Sequence, residues 1–215
     1  MPFISCGQKK TGDTETSIEN LGNGIYQING HRFVDLGLPS GLLWAETNIG
    51  ANSPADIGDF FAWGETKPKT DRTLESYKFF DSAKKTMTKY NDKDGKKALE
   101  REDDAAAALW GNKCRIPSLI NFAELVENTV WTLADKTNSS GTVTAGFVAT
   151  SKINGKKIFF PFDESRTMSI WSNTLRQTGH QATGIKISED YGKCNVGPGG
   201  LPRFYTLPIR PVAEP

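Results

Sequence analysis

The chain has 215 residues, 37% hydrophobic and 24% charged, with 26 Lys and Arg against 25 Asp and Glu and a formal net charge of +1. That balance suits one globular domain, alone or with a tail, and excludes a chain disordered throughout. It excludes a nucleic-acid footprint as well, because the Lys pairs at 84–85, 96–97 and 156–157 stand apart and read as solvated turns and strand ends.

No stretch approaches the ~18 to 20 consecutive apolar residues of a membrane-spanning helix. Three cysteines, none in a CxxC pair, and two histidines far apart in sequence provide neither a disulfide framework nor a metal centre. No metal and no cofactor is expected.

The start, "MPFISCGQKKTGDTETS", passes from small and apolar residues through Cys6 into a polar run without periodicity. Such a run buries too little apolar surface to offset its ordering entropy, so residues 1–22 read as a flexible tether ahead of a domain at 23–215. Phe3-Ile4-Ser5-Cys6 resembles the cleavage end of a bacterial lipoprotein signal, in which the cysteine is acylated, but the basic start and apolar core of such a signal are missing. The alternative is an ordinary start with one stray cysteine.

In the body, "GIYQI" and "HRFVDLGL" flank Asn29-Gly30, a strong signal for a two-residue hairpin. Pro39-Ser40-Gly41 forms a turn before "LLWAE", and "GDFFAWGE" is an aromatic strand ending in a Gly turn. Residues 66–98 are polar throughout and read as a long surface excursion. Within it "YNDKDGKK" is not a calcium loop: with Gly95 in the sixth place, Tyr90 and Arg101 stand where carboxylates are required.

"EREDDAAAALWG" predicts a short helix with acids at its start and Gly111 at its end. Asp103-Asp104 read as a cap or an ion pair to Arg115 rather than as paired acids for glycoside hydrolysis, because adjacent helical side chains diverge. A second helix follows Pro117, with Ser118 as cap and Leu119, Phe122 and Val126 on one face. Thereafter strand-like runs return, with a second hairpin around Asn154-Gly155. The expected class is α+β, two short helices on mainly antiparallel strands with long C-terminal loops.

"FVDLGLPSGLLWAETNIGA", "GDFFAWGET", "EREDDAAAALWGNKCRIPS", "FAELV" and "LPIRPV" together resemble the Fibrobacter succinogenes major paralogous domain family over about residues 30–212. The resemblance implies a C-type-lectin-like fold and a surface protein of gut Bacteroidetes, often a lipoprotein. Some relatives are variable proteins of diversity-generating retroelements or fimbrial tip adhesins. It thus implies a lipidated Cys6, a membrane association through that anchor alone, and an outer-membrane surface location.

The chain departs from the family pattern where Cys114 replaces a Trp, Ser118 a Thr and Asn121 an acidic residue, which reduces a capping box to a one-sided cap. Cys114 and Cys194 either remain thiols or pair, closing a loop of about 80 residues worth about 4 kcal/mol.

Arg115-Ile116-Pro117-Ser118 also resembles a segment of formylglycine-generating enzymes, which bind copper through a close cysteine pair. Here Cys194 stands alone, so no enzymatic activity is expected. Calcium-dependent lectins use Glu-Pro-Asn or Gln-Pro-Asp with Trp-Asn-Asp; neither set is present, and Trp171-Ser172-Asn173 lacks the acid.

The expected function is therefore adhesin-like binding of a protein or glycan through the C-terminal loops, with Asn173, Arg176, His180, Tyr191, Asn195, Arg203 and Tyr205 as contacts. Taken singly, each of these reads first as an ordinary loop residue. The alternatives are a structural envelope or fimbrial subunit and a degenerate relative of formylglycine-generating enzymes. Arg210 reads as a structural residue of the last strand.

Overall fold

The computed structural model describes residues 17–163, 165–176, 179–190 and 193–215. Cys6 and Tyr191 lie outside these residues. The chain opens with three short strands, β1 (Ile18–Gly22), β2 (Ile25–Ile28) and β3 (His31–Asp35). The β2–β3 turn is Asn29-Gly30, with φ of 49° and 84°, as a two-residue hairpin of the favoured twist demands. β1 pairs with β2, so ordered structure begins inside the expected tether.

β4 (Leu43–Ala45) follows the turn in which Gly41 N–H donates to the Leu38 carbonyl at 2.8 Å. β5 (Phe61–Ala62), β6 (Phe80–Asp81) and β7 (Thr86–Met87) are two-residue pieces. α1 (Ala105–Trp110) precedes β8 (Cys114–Arg115), and α2 (Leu119–Glu127) precedes the long strands. These are β9 (Thr129–Thr137), β10 (Val143–Ser151), β11 (Lys157–Pro161), β12 (Thr167–Leu175), β13 (Gln181–Asp190) and β14 (Lys193–Pro202). β15 (Thr206–Leu207) and β16 (Val212–Ala213) close the chain.

A six-stranded sheet in the order β1-β2-β3-β4-β16-β8 divides the interior. Successive side chains of a strand point to opposite faces, so Phe33, Leu43, Ala45 and Ala213 enter one core while Val34, Trp44 and Val212 enter the other. The first core also receives Ala105, Ala106 and Trp110 of α1 together with Tyr77, Phe79 and Tyr90. The second receives Phe122 and Leu125 of α2 and the inner faces of β10 and β11. The sheet β12-β13-β14 contributes to both, through Trp171 and Ala182 on one side and Ile170, Ile185 and Ile187 on the other.

This architecture corrects the expected α+β, C-type-lectin-like fold. Of the described residues 42% are strand and 9% helix, a β-rich sandwich in which the short helices are minor elements. The expected long C-terminal loops are mostly strand: β14, "KCNVGPGGLP", pairs with β13 from Asp190↔Lys193 to Gln181↔Pro202. Glycine and proline obscure that strand in the sequence, yet both are tolerated at a sheet edge, where a missing N–H can face away from the ladder.

α2 carries a second correction. Ser118 Oγ accepts the Asn121 N–H at 3.2 Å, and Asn121 Oδ1 accepts the Ser118 N–H at 3.0 Å, so the capping box is complete. An amide oxygen serves here as a carboxylate would. Asp104 caps α1, its Oδ1 accepting from Ala106 and Ala107. Arg210 is fully buried over Phe160 and donates to Asn48 Oδ1, Ala45 O and Phe159 O. Burial lowers its pKa to about 9, which leaves the guanidinium charged at neutral pH.

Candidate functional site

The polar excursion is not a free loop. Trp63, Tyr77, Phe79 and Tyr90 surround the Arg203 guanidinium, their ring centroids 5.2 to 5.9 Å from its central carbon. Arg203 Nε donates to Tyr77 Oη at 3.0 Å, Nη1 to the carbonyls of Tyr90 at 3.0 Å and Gly179 at 2.8 Å, and Nη2 to Lys89 O at 2.9 Å. Among the described residues, none of its bonds goes to a carboxylate. Carbonyl dipoles, a phenol oxygen and four π faces hold the charge instead.

Arg203 is thus fully buried, which corrects its expected role as a surface contact. It fastens the segment around Lys89 and Tyr90 to the segment at Gly179. Beside it, Asp103 accepts from Lys78 Nζ at 2.6 Å, Lys89 Nζ at 2.5 Å and Tyr90 Oη at 2.6 Å. Burial opposes ionisation of Asp103, but these three donors outweigh it and hold the carboxyl below its ordinary range.

Glu100, Glu102 and Asp103 bring carboxylate oxygens within 4.8 Å of one another, a spacing that suits a cation. Lys89 supplies that charge from the chain, with contacts of 2.6, 2.9 and 2.5 Å to the three. Against the cost of burial, these acids hold the Lys89 ammonium above its ordinary pKa.

Above this fastened base an open groove of about 580 Å³ lies between residues 81–93 and Gly179–His180. Its rim is set by the β6–β7 hairpin and by a turn in which Asp94 accepts the N–H groups of Tyr90 at 2.5 Å and Asn91 at 3.1 Å. Asn91 Nδ2 then donates to Met87 O at 2.9 Å. Lys84 pairs with Asp81 at 3.2 Å, whereas Lys85, Lys93 and Asp92 have no ion-pair partner among the described residues. The lining offers ammonium and carboxylate groups, hydroxyls of Thr86 and Thr88, and an exposed imidazole.

Of the expected contacts within the described residues, His180 alone lines this groove. Arg176 is exposed and lies against Gly200. Asn173 lines a separate hollow beside β8, and Asn195 a shallow one with Lys186 on the outer face of β13 and β14. Tyr205 is exposed and meets Phe204 edge-on at 5.2 Å between ring centroids. The expected residues therefore do not converge on one surface.

The groove wall formed by residues 81–93 was missed. Its dense Lys, Asn and Asp turns are visible in the sequence, but they resemble any solvated surface until Arg203 ties them to the C-terminal part. Of the two alternatives for Cys114 and Cys194, the structure has them as free thiols, Cys114 packed in one core and Cys194 lying half-buried against the other. Burial, aided by Asp104, pushes the Cys114 thiol up to about 12, and burial pushes Cys194 up to about 12. Comparison with protein-family models, curated proteins and solved structures finds no match to the chain.

Proposed function

We propose that the chain is a non-catalytic recognition module of the bacterial cell surface, holding a polar protein or glycan ligand between residues 81–93 and His180. The observation that carries this reading is the pinned groove. Arg203 spends four hydrogen bonds on backbone and tyrosine oxygens that fix both walls, which lowers the ordering cost of binding. Its mixed-charge, hydroxyl-rich lining suits a hydrated ligand.

Display at the envelope through an acylated Cys6 belongs to the same proposal and rests on the sequence resemblance. The test is binding of the chain to a glycan array and to a panel of host and bacterial surface proteins, with and without EDTA. Saturable binding lost in a Lys85→Ala, Lys93→Ala, His180→Ala variant supports the reading; binding that this variant retains contradicts it.

A second reading, an envelope or fimbrial subunit, is favoured by an apolar hollow of about 470 Å³ between α2 and the β13–β14 edge, lined by Phe122, Val126, Ile185 and Val196. Self-association or capture by an envelope protein, abolished by Val126→Asp, would support it.

A further inference from the structure

We propose that the hollow beside β8 is an oxyanion site, taking a phosphate, sulfate or carboxylate group carried on a larger molecule. The hollow measures about 310 Å³ and is distinct from the groove at His180. Arg101, Lys113 and Arg115 line it, together with Asn112 and Asn173.

Each of these cations lacks an ion-pair partner among the described residues. That distinguishes them from Lys78, Lys89 and Lys96 nearby in sequence, which are matched by Asp103, Glu100 and Glu102. Two carboxylates also face the hollow, Asp104 and Glu214. Asp104 is committed elsewhere: Oδ1 accepts from Ala106 and Ala107, and Oδ2 accepts the Ile116 N–H at 2.8 Å. Glu214 is exposed at the chain end, where solvent screens its charge.

The two guanidiniums are oriented but not used up. Arg101 Nη2 donates to Asn112 O, and Arg115 Nη1 donates to Asn121 Oδ1 at 3.0 Å and, more weakly, to Ile116 O at 3.4 Å. Their other N–H groups have no acceptor among the described residues. Guanidinium groups with N–H donors to spare match the planar or tetrahedral oxygens of an oxyanion, and Lys113 adds a point charge. The site depends on β8, which fixes Arg115 by pairing it with Val212.

The test titrates the full ¹⁵N-labelled chain with inorganic phosphate, inorganic sulfate and glucuronate, with chloride at matched ionic strength as the reference. The expected result is a saturable shift of the Arg115 and Asn173 amides with at least one of the three. Arg101→Gln/Lys113→Gln, two exposed changes, should weaken it at least tenfold at an unchanged melting temperature.

Saturation by phosphate or sulfate alone assigns a tetrahedral anion, and saturation by glucuronate assigns a uronic-acid glycan. No saturable shift, an equal shift with chloride, or full binding by the double variant overturns the proposal. The single changes Arg101→Gln and Lys113→Gln supply the same readout if the double variant is destabilised.

Discussion

Arg203 shows how one residue can change meaning between sequence and structure. Within "GPGGLPRFY" it has the company of a binding loop, and only partners as distant as Tyr77 and Tyr90 make it an interior residue. Arg203→Leu would leave four oxygens without their donor, and at about 1 to 3 kcal/mol for each buried group left unpaired the loss of stability should exceed about 3 kcal/mol in urea denaturation. A loss below about 1 kcal/mol would contradict the pinning role.

Asp103 sets an acid dependence. Its folded pKa is depressed, so its contribution is present above the unfolded value of about 3.9 and is lost as pH falls through the folded value. Asp103→Asn should therefore destabilise the protein at pH 7, and the gap from the parent should narrow on acidification. A gap of constant size from pH 7 to pH 2 would refute this. Lys89, raised by the same acids, has the opposite sign: its contribution is complete below the unfolded value of about 10.4 and is lost only in stronger alkali.

Among the elements, those specified locally were legible. Asn29-Gly30 fixes its hairpin because both residues accept positive φ, and Ser118 marks the start of α2 because its hydroxyl meets an orphan N–H of the first turn. Asn121 was misjudged by residue type, although its amide oxygen accepts the Ser118 N–H as a carboxylate would. Ser118→Ala and Asn121→Ala should each cost about 1 kcal/mol in thermal or denaturant unfolding; Asn121→Glu should retain most of the stability. If Asn121→Ala proves neutral, the second half of the box contributes nothing. β14 escaped sequence reading because its pairing with β13, rather than its own composition, makes it a strand.

At the scale of the molecule, two cores on opposite faces of one sheet explain why the cysteines stay apart: Cys114 packs in one, and Cys194 lies against the other. Without reductant, buried Cys114 should be alkylated only after unfolding, both thiols should be alkylated once the chain is unfolded, and a disulfide-linked peptide carrying both would contradict this. The strand-turn rhythm was visible in the sequence, but the balance of the fold was not, because the partners of the long strands are set by tertiary packing.

The same limit applied to the groove. One wall comes from residues 81–93 and the other from Gly179–His180, and nothing local in either segment announces the other. The most direct measurement is the affinity of the chain for whichever array or panel ligand it captures, compared with Lys85→Ala, Lys93→Ala, His180→Ala at matched stability. Recognition in the groove predicts at least a tenfold loss; unchanged affinity would place the binding surface elsewhere and contradict the account.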